Sequence, residues 1–182
     1  MKKILILSTL LLALTSCIDT PKPKTVKQMV EDLGIDRVVN GTVGDGTSMH
    51  SLELITFGGD TLYYVYENNA KGGLAVGDTV NVIYKQADGE LTAQWIVNLS
   101  ALLHRWEGQD ESGAFSFTFE EVGMFESEGF KENYTSWSII GEDIYFECGD
   151  HTDKYAIDLL TEDSLVLFSL EDGTTLSFSR AD

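Results

Sequence analysis

The chain predicts an all-β protein: two small antiparallel, barrel-like domains, the second an up-and-down meander, preceded by one short N-terminal helix. Three observations carry this. From Arg37 onward, turn residues recur directly before β-branched or aliphatic runs. They read Gly59-Asp60-Thr61-Leu62, Gly77-Asp78-Thr79-Val80, Gly141-Glu142-Asp143-Ile144, Glu162-Asp163-Ser164-Leu165 and Asp172-Gly173-Thr174-Thr175-Leu176. Each pairs turn chemistry with a strand start. The intervals between them are short and lack helical periodicity, as in a meander or barrel. Finally, 17 glycines suit tight turns, while 43% hydrophobic and 10% aromatic residues supply a core and argue against whole-chain disorder.

In chain order, the first element is an export signal. Lys2 and Lys3 precede an apolar run from Ile4 to Leu14, broken by Ser8 and Thr9. The run is too short for a bilayer span, which needs about 20 apolar residues. Basic flank, short core and small residues fit a cleaved signal over residues 1–16. Leu14-Thr15-Ser16-Cys17 resembles the lipobox of bacterial lipoproteins. That resemblance implies removal of Met1 to Ser16 and attachment of diacylglycerol to Cys17. It also implies a lipid-anchored place in the cell envelope, at the outer membrane, on its periplasmic or surface face.

Charge and cysteine count follow from this signal. Losing Lys2 and Lys3 takes the net charge from -18 to -20. Such an acidic surface repels phosphate backbones, so nucleic acid is not an expected partner. It also favours solubility over adsorption to anionic headgroups, so membrane attachment must come from the lipid. Cys17 and Cys148 are the two cysteines. A lipidated Cys17 leaves Cys148 without an intramolecular partner, although an exported compartment permits disulfides. Cys148 then reads as a small buried hydrophobe on a strand rather than a reactive thiol.

Residues 17–35 read as a tether and the short helix. Pro21 and Pro23 keep the tether extended. Thr25-Val26-Lys27-Gln28 fits a capping box. Val26, Met29, Val30 and Leu33 share one helical face, and Gly34 closes it. Segment 36–100 then offers strands at 37–43, 49–57, 61–66, 79–85 and 91–98, with Gly58-Gly59 as a tight hairpin. It resembles a small OB-like or SH3-like barrel. Segment 101–182 offers strands at 102–106, 114–119, 134–140, 143–148, 154–159, 164–170 and 174–180. Phe115, Phe117 and Phe119 alternate with Ser116 and Thr118, giving one aromatic and one polar face.

The second segment resembles the lipocalin-like domains of small lipoproteins from Gram-negative gut bacteria. The residues carrying this are Leu103-His104-Arg105-Trp106, Trp137-Ser138-Ile139-Ile140-Gly141-Glu142-Asp143-Ile144, Tyr155-Ala156-Ile157-Asp158-Leu159-Leu160, Asp163-Ser164-Leu165-Val166-Leu167 and Leu176-Ser177-Phe178-Ser179-Arg180. The first segment is similar to the domain that often precedes these, in Gly41-Thr42-Val43, Leu54-Ile55 and the two Gly-Asp-Thr turns. The resemblance implies a barrel closed by a pair, Trp106 and Arg180, with a guanidinium over an indole face. His104 stands where lipocalins carry a glycine, and the segment is short. The expectation is therefore a small, partly open barrel.

Candidate sites remain few. An aromatic-lined barrel mouth would take a small apolar ligand, with Phe115, Phe117, Phe119, Trp137, Tyr145 and Tyr155 as its residues. A barrel this small is also filled by its own side chains, and that reading is favoured for most of them. Cys148-Gly149-Asp150-His151-Thr152-Asp153 gathers metal-ligand types, but a structural zinc needs four ligands and no second cluster follows. No metal and no cofactor is therefore expected. Acidic groups at 107–111 and 120–128 read as solvated faces. Loop 120–133 carries Met124, Phe125 and Phe130, either as an exposed lid or partner surface or packed across the barrel end. Neither Gly-x-Ser-x-Gly nor His-Glu-x-x-His is present, and His50, His104 and His151 are scattered, so no catalytic residue is expected. Asp60-Thr61-Leu62, Asp78-Thr79-Val80 and Asp163-Ser164-Leu165 resemble a bacterial O-glycosylation sequon, although their turn role suffices to explain them. The sequence thus predicts a non-catalytic, envelope-anchored β protein. It binds a small apolar ligand or a partner through the second domain, or is purely protein-interacting with a filled barrel.

Overall fold

Alternation of inward and outward side chains builds both sheets of the computed structural model, which describes residues 37–181 apart from 111, 112 and 131. The signal, Cys17, the tether and the helix expected at 25–33 lie outside the described residues. The first sheet holds β1 (Arg37–Val43), β2 (Ser51–Thr56), β3 (Thr61–Val65), a two-residue β4 (Ala70–Lys71), β5 (Thr79–Ala87) and β6 (Glu90–Asn98). β1 pairs antiparallel with β2 and β5, β2 with β3, and β5 with β6. A parallel contact at Val65 and Thr92 joins β3 to β6 and closes a five-stranded barrel. Asp88 and Gly89, at φ 52° and 86°, turn β5 into β6. Two consecutive positive φ values match the right-handed twist of a hairpin, and glycine adopts them freely. Val43, Leu52, Leu54, Tyr64, Val80, Val82 and Ile96 fill the interior.

One helical turn, α1 (Leu99–Leu102), joins the barrels. Asn98 caps it by accepting from the Ala101 N–H at 3.0 Å. The same amide donates to the Asp78 carboxylate at 2.7 Å and to the Gly72 and Gly73 carbonyls. Gly72 sits at φ 93°, where a Cβ would lie 2.7 Å from the Asn98 side chain and 3.0 Å from Leu160. Only glycine lets the first barrel approach the second this closely. Lys71 adds a bond across the junction, its Nζ donating to the Asp158 carbonyl at 3.2 Å.

The second sheet runs in chain order: β7 (Arg105–Asp110), β8 (Gly113–Phe119), β9 (Phe125–Glu128), β10 (Ser136–Ile140), β11 (Asp143–Cys148), β12 (His151–Leu160), β13 (Ser164–Ser169) and β14 (Thr175–Arg180). β14 returns to β7 through Ser179 opposite Glu107 and Arg180 opposite Trp106. The remaining seam, between β9 and β10, is held by a single bridge of Met124 to Ser136 and a bond from the Phe125 N–H to the Thr135 carbonyl. The all-β expectation holds, with two barrel-like sheets. The second is nearly closed on eight strands, where the sequence predicted seven. The additional strand is β9, inside what reads as a loop at 120–133. Glu126 and Glu128 alternate there with Phe125 and Ser127, too short a run to register as a strand beside its acidic neighbours. The strand expected at 102–106 is also shifted, because Leu102 ends α1 and β7 begins at Arg105.

Candidate functional site

Rings pack beside Ile and Leu side chains in the interior of the second barrel. Phe117, 1% exposed, packs its ring 4.7 Å from Phe178, 5.0 Å from Phe119, 5.1 Å from Phe125 and 5.9 Å from Phe146. Phe115 meets Phe130 at 4.9 Å and Phe178 at 5.4 Å. Tyr155 stacks obliquely on Phe146 at 4.9 Å. Phe115, Phe117, Phe119 and Tyr155 are therefore core residues. Tyr145, expected among the inward aromatics, faces outward between buried Ile144 and Phe146, with Lys154 Nζ 5.6 Å from its ring centre. Trp137 is only half-buried. It packs edge-on against Phe119 at 5.0 Å, and its indole N–H donates to the Glu120 carbonyl at 3.0 Å.

The barrel-closing pair takes a different form from the one the resemblance implies. Trp106 and Arg180 are cross-strand partners, and Trp106 is fully buried. Its indole N–H donates to the Leu102 carbonyl at 2.9 Å, tying the core to α1. Arg180 is exposed, and its guanidinium donates to the Glu162 carbonyl at 3.5 Å. Burial holds the His104 imidazole below its ordinary pKa, with the nearby Arg180 charge adding to the effect.

At the opposite end of the barrel, His151 and Asp153 pair at 2.7 Å, and the Tyr134 hydroxyl donates to the same carboxylate. Burial first, and that bond second, raise the Tyr134 pKa. Among the described residues no three His, Cys, Asp or Glu side chains converge on a point, Cys148 and His151 included. Loop 120–133 divides between its two expected roles. Phe125 and Phe130 pack into the core, whereas Met124 and Val122 are 56% and 97% exposed.

Open volume lies outside the barrels. A shallow polar groove of about 810 Å³ crosses the outer face of β14, β7 and β8. Its charges satisfy one another: Arg105 donates to Glu107 at 3.3 Å and to Ser116 at 2.9 Å. A second cleft of about 580 Å³ opens where the mouth of the second barrel faces the first. From the first barrel it takes Asn40, Thr79 and Asn81 on the outer face of β1 and β5, and Phe57 after β2. Leu99 and Leu103 at α1 form its floor. From the second barrel come Trp137, Ser138 and Ile139 of β10, and the turn Glu121-Val122-Gly123.

Several groups in this cleft are unspent. Asn81 donates to the Asn40 side-chain carbonyl at 2.7 Å, but its own carbonyl oxygen is buried without a partner among the described residues. An unpartnered buried acceptor costs about 1–3 kcal/mol. Phe57 is 72% exposed. Val122 holds φ 60°, ψ 20° at the rim, a left-handed conformation that strains a β-branched residue. Strain of this kind concentrates at functional positions. Of the aromatics expected to line a ligand site, only Trp137 lines this cleft. Its other walls come from strands far apart in sequence, and the Phe57-Gly58-Gly59 turn is the one local hint of an exposed ring.

These features define a class: an all-β protein of two barrels, with its interior filled and its open site at the junction. No protein-family model matches the chain, and no curated protein matches it. Among solved structures, 44% of the chain is similar to a lipocalin-like protein from Bacteroides thetaiotaomicron. The two are 22% identical over 97% of that protein, with a TM-score of 0.36.

Proposed function

We propose that this is a lipid-anchored binding protein of the cell envelope, non-catalytic, which holds a small, largely apolar molecule in the junction cleft. The observation carrying the reading is the cleft itself: about 580 Å³, bordered by Trp137, Leu103, Phe57 and Val122, with amide and hydroxyl groups converging on it. Small-molecule sites have this size and mixture and favour domain junctions. The filled barrel moves the ligand from the calyx to its mouth. The Leu14-Thr15-Ser16-Cys17 lipobox supports the anchor.

Native mass spectrometry of the protein purified from its own host tests the binding. A co-purifying small mass that disappears with Trp137→Ala supports the reading. A second reading, a protein-interacting module without a ligand, draws on the filled barrel and on the exposed row Met49, Ile55, Tyr63 and Val65 along β2 and β3. It predicts no bound mass and a captured envelope protein instead. The anchor has its own test. Cys17→Ser releases the protein from the membrane fraction, and persistence in the pellet after a high-salt wash overturns the anchor.

A further inference from the structure

The charge of the cleft narrows its ligand. Glu121 is the one ionisable residue among the described lining residues, and no described Lys, Arg or His joins it. Its carboxylate makes no hydrogen bond or ion pair with the other described residues, in contrast to Glu107, which Arg105 neutralises in the neighbouring groove. The remaining polar side chains, the Asn40 and Asn81 amides and the Thr79 and Ser138 hydroxyls, carry no charge. The half-buried Trp137 offers an electron-rich ring, the best of the aromatic partners for a cation. The chain's net charge of -18 sets a background potential of the same sign. An anionic ligand such as a carboxylate would enter beside an unneutralised acid, with no cation among the described lining residues to receive it.

We infer that the cleft selects organic cations: an apolar body seated on Leu103 and Val122, carrying an ammonium group received by Glu121 and the face of Trp137. This rests on the cleft being the binding site. The strained, exposed Val122 places an apolar contact directly beside the Glu121 carboxylate, so one short turn presents both halves of the recognition.

The test uses the whole mature chain carrying Cys17→Ser, which needs no detergent, and three probes of equal length: n-octylamine, n-octanol and n-octanoate. Calorimetry at pH 7 should give n-octylamine about tenfold tighter binding than n-octanol, with n-octanoate the weakest. Glu121→Gln should weaken n-octylamine several-fold and leave n-octanol unchanged. That second outcome separates local recognition from general attraction to an acidic protein. Equal or tighter binding of n-octanoate overturns the inference, as does an amine preference that Glu121→Gln leaves undiminished. Trp137→Ala distinguishes the two levels of the argument. If it abolishes n-octanol binding while no amine preference exists, the cleft stands and the cation selection falls. If n-octanol binding is unaffected by it, or none of the probes binds, the cleft reading falls and the inference with it.

Discussion

The first barrel closes on five strands and fills mainly with Val, Leu and Ile, helped by Tyr64 and Tyr84; the second nearly closes on eight and adds to its Ile and Leu side chains a large set of Phe, Tyr and Trp rings. Barrel diameter grows with strand number, so the interior to be filled grows too. In the smaller barrel, Val80, Val82, Leu52 and Leu54 are fully buried in one cluster. In the larger one rings share this role, and loop residue Phe130 packs against them. The comparison teaches that both interiors, among the described residues, are packed with buried side chains. Two convex, filled bodies joined by one helical turn instead leave their free volume at the junction. Both barrels contribute to that cleft, and neither would form it alone.

The largest expected effect comes from breaking the aromatic filling. Phe117→Ala should cost about 3–5 kcal/mol in urea unfolding, because its ring contacts in the centre of the barrel cannot be rebuilt by collapse. Leu54→Ala in the first barrel should cost about 2–5 kcal/mol on the same measurement. The pair also asks whether the barrels unfold together. Val97, Ala101 and Leu102 belong to the second core while lying on β6 and α1, so both substitutions should shift one common transition. Two separate transitions would show the junction to be a tether rather than a shared core.

Val122→Gly probes the cleft rim. It should stabilise the fold by about 1 kcal/mol in thermal unfolding, because glycine adopts the left-handed conformation without strain. A loss of stability would mean that the valine side chain packs more than its exposure suggests.

The smallest effect is expected from pH. His104 lies below its ordinary pKa of 6.5 in the folded state, through burial and then Arg180. Protonation therefore favours the unfolded chain. The stability linked to this group is complete above about pH 6.5 and falls as pH drops through the lowered folded value. His104→Gln should flatten that part of the stability–pH curve without altering stability at pH 8.

Much of the fold is legible in the sequence. The strands expected at 37–43 and 143–148 match β1 and β11 residue for residue, and 61–66 and 174–180 miss by one terminal residue each. Period-two alternation with glycine and aspartate turns is a local property, so it survives in the sequence. β9 was not legible, since four residues framed by acids carry too little pattern. Tyr145 was misplaced for a related reason. An aromatic side chain suggests the interior, but the register of β11 assigns it to the face opposite Phe146. Trp137 was named from its ring, yet its partners Asn40, Asn81 and Phe57 were not, because nothing local distinguishes them from ordinary strand and turn residues.

What the sequence determined by itself was the class: all-β, divided near α1, rich in rings after Arg105, and headed by the Cys17 motif. Backbone period and turn stereochemistry act over a few residues and need no knowledge of what is distant. The tertiary structure alone decided that the barrel is full and that the open space lies elsewhere. Those outcomes depend on the sum of side-chain volumes inside each closed sheet. They depend equally on the close approach at Gly72, which brings residues from Asn40 to Ile139 around one cleft.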